Sequence, residues 1–118
     1  MPSSRFVELA NDAKTRVREV SPSEAVKDQA QGAVLIDVRE TDEFAKGHAQ
    51  GAKHSSKGVV ELRIEETVPD LKTPIVCYCG GGSRSALAAD NLQKMGYTNV
   101  TSMAGGFKAW KDAGLPTA

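Results

Sequence analysis

Apolar residues recur along the start of the chain at helical spacing. Phe6, Ala10, Ala13, Val17 and Val20 are separated by four, three, four and three residues, which predicts one apolar helix face over roughly 4–19. "SPSE" at 21–24 then reads as a helix start: Ser21 caps, Pro22 suits the first turn, and Glu24 completes a capping box. Gly32 ends that helix. "AVLIDV" at 33–38 is a continuous apolar run with β-branched residues, the pattern of a strand buried on both faces. "TDEFAKG" predicts a short helix capped by Thr41 and stopped near Gly47, and "AKHSS" a short strand. "GVVELRIEETV" predicts a helix with Pro69 beyond its end. "PIVCYC" at 74–79 is a second buried strand, Ser85 to Met95 a helix stopped by Gly96, "NVTSM" a third strand, and "GGFKAWKDAGLP" a last short helix. Strands alternating with helices predict an α/β domain with a mostly parallel sheet and helices on both faces. No repeat or linker divides the chain. The expected organisation is a helical extension at 1–19 and a single domain at 20–118.

Composition narrows the function. Lys plus Arg and Asp plus Glu are both 15, so the net charge is zero and nothing recommends nucleic acid or an anionic membrane as a partner. No run approaches the roughly 18 apolar residues of a membrane span, and the charged N-terminus lacks the apolar core of a signal peptide. A soluble, cytoplasmic protein is expected. The two cysteines are separated by one residue, too close for an unstrained bridge. Thiol chemistry or simple burial is expected instead of a disulfide scaffold.

The chemistry concentrates in "CYCGGGSRS" at 77–85. Cys79 ends a strand and precedes a helix, the place where parallel sheets bind ligands. Gly80, Gly81, Gly82, Ser83 and Arg84 follow it. Glycines let backbone N–H groups approach and surround an anion, and a helix start adds its positive dipole end. Together with Arg84 this environment favours the thiolate, the nucleophilic form. Four residues separate Cys79 from Arg84. Cysteine phosphatases have one residue more, and the shorter loop is better sized for a cysteine carrying one extra sulfur. Cys77, inside the apolar strand, reads as core. His48 and His54 lack the companion ligands a metal needs, so neither metal nor cofactor is expected.

Landmarks in order carry a resemblance: "LIDVRE" at 35–40, "EFAKGHAQGA" at 43–52, "YCGGGSRS" at 78–85 and "MAGGFKAWKDAGLP" at 103–116. Over roughly 20–117 the chain resembles the rhodanese family of sulfurtransferase domains. The resemblance implies a five-stranded parallel sheet sandwiched by helices. It also implies a ping-pong reaction, in which Cys79 takes the outer sulfur of a small anionic donor such as thiosulfate and passes it to a thiol or cyanide acceptor. The loop from Gly80 to Arg84 would hold the persulfide. Asp37 and Arg39 align with the family's DVR pair and read mainly as scaffold. Ser83 and Ser85 are candidate hydrogen-bond donors, with a helix cap an equal explanation. His48 is expected in a structural hydrogen bond, and Phe107 and Trp110 in the core. Where the family has Ile-Pro, this chain has Ala49-Gln50, and "KHSSKGVVELRIEE" replaces an apolar segment. There Arg63, Lys57 and Lys53 are candidates for a basic rim.

Other readings stay open. One is a relay or binding module that hands sulfur to a protein partner. The others are a phosphatase or arsenate reductase on the same fold, which the loop length opposes, and an inactive interaction domain, which an intact Cys79 opposes.

Overall fold

A parallel sheet of five short strands sets the frame, in the computed structural model that describes residues 3–118. In chain order the elements are α1 (Ser4–Lys14), β1 (Arg18–Val20), α2 (Pro22–Ala30), β2 (Val34–Asp37), α3 (Thr41–Ala45), β3 (Lys53–His54), α4 (Val60–Thr67), β4 (Ile75–Tyr78), α5 (Ser83–Lys94), β5 (Val100–Met103) and α6 (Gly106–Asp112). The sheet order is β1-β5-β4-β2-β3, and every neighbouring pair is parallel. The most apolar run, β4, takes the centre, where both faces are covered. Its register aligns Ile36, Cys77 and Ser102 across three strands.

Alternation along the strands feeds two cores. Ile36, Ile75, Cys77 and Cys79 face one core with Ile64 of α4 and Leu92 of α5. Leu35, Val76 and Tyr78 face the other with Ala25 of α2 and Trp110 of α6. Leu35 and Ile36 are adjacent yet both buried, and each contributes about 1.5–3 kcal/mol to its own side. Helices therefore cover both faces, as the pattern predicted. Among the described residues no helix is long and apolar enough to cross a membrane.

The first helix is shorter than its spacing predicts. It ends at Lys14, and Arg18–Val20 pairs instead with Thr101–Met103 as an edge strand. Val17 and Val20 belong to opposite faces of the sheet, which one helix face cannot supply. The apolar spacing of four and three was thus shared by a helix and a strand. Helix α1 packs along α5 through the small buried residues Ala10 and Ala13. Arg16 anchors it, with Nε 3.1 Å from Asp90 Oδ1 and Nη2 2.8 Å from Asp90 Oδ2. Gln93 Nε2 donates to the Arg16 carbonyl at 3.0 Å. Arg16 in turn holds the Asp90 carboxyl below the usual carboxylate range.

Two other boundaries move. Glu40, not Thr41, caps α3, with its backbone N–H donating to Glu43 at 3.1 Å. Helix α5 starts at Ser83 instead of Ser85, so Ser83 and Arg84 belong to its first turn.

Candidate active site

Cys79 follows the last residue of the central strand and is 1% exposed. The chain then turns through the glycines, and Gly82 adopts φ +107 as it enters α5. That left-handed backbone is the position where glycine is needed. It aims the Gly82 N–H at Cys79 Sγ, 3.1 Å away, and the Ser85 N–H reaches the same sulfur at 3.4 Å. The donors on Sγ itself are therefore residues 82 and 85, at the start of α5, where the positive end of the helix dipole also lies. Ser85 Oγ lies 3.5 Å from Sγ and 2.8 Å from Ser102 Oγ. Both serines are fully buried. A hydroxyl chain thus runs from β5 to the sulfur, and with Ser102 donating to Ser85 it can present a proton to a negative sulfur.

The other side of the loop is held by α6. Phe107 N–H donates to the Cys79 carbonyl at 2.7 Å and Lys108 N–H to the Gly80 carbonyl at 3.4 Å. Gly106 makes this approach possible: it sits at φ +60, and a Cβ there would lie 2.5 Å from the Gly80 carbonyl carbon. Gly106 of "AGGF" therefore lets α6 clasp the Cys79–Gly80 backbone.

Arg84 does not stand free. Its Nη1 donates to Glu43 Oε1 at 2.7 Å and its Nη2 to Oε2 at 3.2 Å. These bonds, more than any other influence, hold the Glu43 carboxyl down at about 2. A cavity of about 340 Å³ opens over the sulfur, lined among the described residues by Phe6, Cys79, Gly81, Ser83 and Arg84.

The remaining candidates fall elsewhere. Asp37 and Arg39 form a buried ion pair at 2.7 Å, with Arg39 Nη2 also donating to the Gly47 carbonyl at 2.7 Å and its guanidinium 4.4 Å from the centre of the Phe107 ring. This pair ties β2 to the α3 segment and to α6, and neither residue lines the cavity over Cys79. Arg63 borders a separate hollow with Thr41, His54 and Ser55, and Lys57 another with α1 and α5. Lys53 lies on β3 and lines neither. The predicted basic rim is thus dispersed. His48 Nδ1 lies 3.1 Å from the Phe44 carbonyl, and Phe44 stacks against both His48 and His54. Among the described residues no group of three His, Cys, Asp or Glu is placed to hold a metal. Cys77 is fully buried, and that burial first, then the neighbouring Cys79, pushes its thiol up to about 12.

Sequence reasoning missed three residues around the sulfur. Ser102 is a polar residue inside a strand, and only the β4–β5 register brings it near Cys79. Glu43 sits in the quoted "EF" segment, but its partner is 41 positions away. Phe6 reads as one more helix-face residue until α1 is docked.

The rhodanese-like domain family matches residues 21–113. The chain belongs to this family. A thiosulfate sulfurtransferase GlpE of Pseudomonas entomophila is 38% identical over 80% of this chain and 84% of its own length. Its namesake from Haemophilus influenzae (strain PittEE) is 39% identical over 84% and 92% respectively. These relatives make the chain a rhodanese-type enzyme. Among solved structures, the polysulfide-sulfur transferase homodimer of Wolinella succinogenes superposes with a TM-score of 0.82 at 30% identity, covering 98% of this chain and 88% of that one. A Rhodopseudomonas palustris protein of unknown function, described as a possible tyrosine phosphatase, gives 0.84 at 32% identity, covering 100% and 99%. In this rhodanese-like chain the matched region starts after α1, while both structural neighbours extend over that helix.

Proposed function

We propose that the protein moves a sulfane sulfur from thiosulfate or a similar anionic donor to a thiol or to cyanide, through a persulfide on Cys79. The observation that carries this reading is the pair of amides, Gly82 and Ser85, directed at Cys79 Sγ at the floor of an open cavity. The Cys79 thiolate attacks the outer sulfur of thiosulfate. A new S–S bond forms to Cys79, the donor's S–S bond breaks, and its electron pair leaves with sulfite. The acceptor then attacks the terminal sulfur and returns the thiolate. Dividing the transfer into two displacements lowers the demand on each. The loop from Gly80 to Arg84 and the start of α5 stabilise the negative charge that moves along the sulfur chain, as an oxyanion hole does. Ser85, backed by Ser102, supports the inner sulfur. Asp37 and Arg39 act on the scaffold, and Arg63 is left to its own hollow.

The test is steady-state transfer from thiosulfate to cyanide. Parallel double-reciprocal lines are expected, and their loss in Cys79→Ser. Intersecting lines, or turnover that survives Cys79→Ser, would contradict the reading.

One observation favours a second reading, relay of sulfur to a protein acceptor. The Arg84 charge is already engaged by Glu43, which weakens its pull on a free dianion. Very slow thiosulfate turnover beside rapid transfer to a partner protein would favour it. Phosphate chemistry is disfavoured by the loop of four residues between Cys79 and Arg84. Phosphatase activity abolished by Cys79→Ser would overturn that judgement. Two free cysteines suit a reducing compartment, and the cytoplasm is the location we favour.

A further inference from the structure

Beyond the loop itself, the cavity over Cys79 has a wall that comes from outside the matched family region. Phe6, on the first turn of α1, lines it together with Gly81, Ser83 and Arg84. Its place is set at both ends of the helix. Ser3 Oγ accepts the Phe6 N–H at 3.1 Å and fixes the first turn. Ala10 and Ala13 seat the middle on α5, and Arg16 locks the far end to Asp90. Helix α5 begins at the catalytic loop, so a helix docked along it delivers its N-terminal turn to the mouth of the site.

The electrostatics of that mouth are milder than the loop alone would give. Both Nη atoms of Arg84 are engaged by the Glu43 carboxylate, and Lys53, Lys57 and Arg63 do not line the cavity. Apart from Cys79 and the paired Arg84, the cavity is lined by Phe6, Gly81 and Ser83, none of them charged. A small, strongly hydrated dianion gains little from a phenyl wall, whereas a donor with a hydrocarbon group gains apolar contact.

We propose that Phe6 is a specificity-determining residue, which shifts the site's preference from thiosulfate toward donors with an apolar carbon group behind the transferable sulfur. The inference rests on the sulfurtransferase reading and names a residue that sets its donor preference. With an organic thiosulfonate the Cys79 thiolate attacks the outer sulfur. The Cys79 S–S bond forms, the donor's S–S bond breaks, and the electron pair leaves on an organic sulfinate. Charge and atoms balance as they do with thiosulfate, and no oxidant or reductant is required. Phe6 touches the carbon group and takes no part in the displacement.

The test compares benzenethiosulfonate with thiosulfate, cyanide being the acceptor for both, in the wild type, Phe6→Ala and Phe6→Leu. The expected result is a ratio of kcat/KM values that favours benzenethiosulfonate in the wild type. That ratio should fall about tenfold in Phe6→Ala, through KM, and less in Phe6→Leu. In parallel, benzenesulfonate, which has no sulfur to give, is titrated into each protein by NMR. It should shift the amides of residues 79–84 and bind several-fold more weakly to Phe6→Ala. Turnover with an unchanged donor ratio and unchanged benzenesulfonate binding would overturn the role of Phe6 and leave the sulfurtransferase reading standing. Phe6-dependent binding of benzenesulfonate without turnover of either donor would overturn the sulfurtransferase reading and, with it, the donor preference.

Discussion

Cys77 and Cys79 stand two residues apart and face the same core, and burial does not distinguish them: they are 0% and 1% exposed. Their neighbours do. Cys77 lies inside the apolar core formed by β4, α4 and α5, where burial keeps its thiol protonated. Cys79 lies one step past the strand, where Gly82 and Ser85 turn their N–H groups toward its sulfur. A buried thiol becomes a candidate nucleophile through the donors pointed at it and the opening above it, not through exposure. The chain builds that difference within three residues, by ending β4 at Tyr78 and reversing at Gly82.

The sharpest way to break the comparison is to exchange the roles. Cys79→Ser should remove transfer from thiosulfate to cyanide, a loss of at least about a thousandfold, since the covalent route disappears. Cys77→Ala should keep it within about threefold, with a stability cost of about 1–2 kcal/mol from the small cavity it leaves. Steady-state rates and urea melts of the two variants read both effects. A Cys77→Ala protein that is folded but inactive would erase the distinction drawn here.

Next in size is Gly106→Ala. Its Cβ would be forced onto the Cys79–Gly80 backbone at a positive φ, so a loss of about 2–4 kcal/mol is expected in a urea melt, with activity falling as the loop shifts. Wild-type stability in that variant would mean that α6 does not clasp the loop. Ser102→Ala should be milder, because Ser85 still reaches the sulfur. A drop of about tenfold in kcat/KM is expected with the fold retained. No change would remove the hydroxyl chain from the account.

The smallest effect concerns the pair that restrains Arg84. Glu43 titrates near 2 in the folded chain against an ordinary 4.5. The stabilisation from this pair is therefore complete above about pH 4.5 and is lost as the pH falls toward 2. In thermal melts the advantage of the wild type over Glu43→Gln should shrink across that window. A gap that stays constant from pH 6 down to about 2.5 would mean the carboxylate is not held by Arg84.

Much of this was legible in the sequence. The apolar run at 74–79 predicted the buried strand, "GGGSRS" predicted a loop ending in a helix, and the count from Cys79 to Arg84 pointed to sulfur. The rest depended on partners distant in the chain. Strand β1 was hidden because Val17 and Val20 continue a helical spacing while serving opposite sheet faces. Ser102 became visible only through the pairing of β4 with β5, and Glu43 only through the fold that brings α3 to α5. Phe6 needed the docking of α1, for which a spacing rule gives a face but no destination.

Cys79, and not its neighbour, is the residue we propose to carry sulfur. Thiosulfate treatment followed by peptide-mapped mass spectrometry under non-reducing conditions tests this directly. A gain of about 32 Da, one sulfur atom, should fall on Cys79 and vanish on adding cyanide. A gain on Cys77, or an unmodified chain that still transfers sulfur, would contradict it.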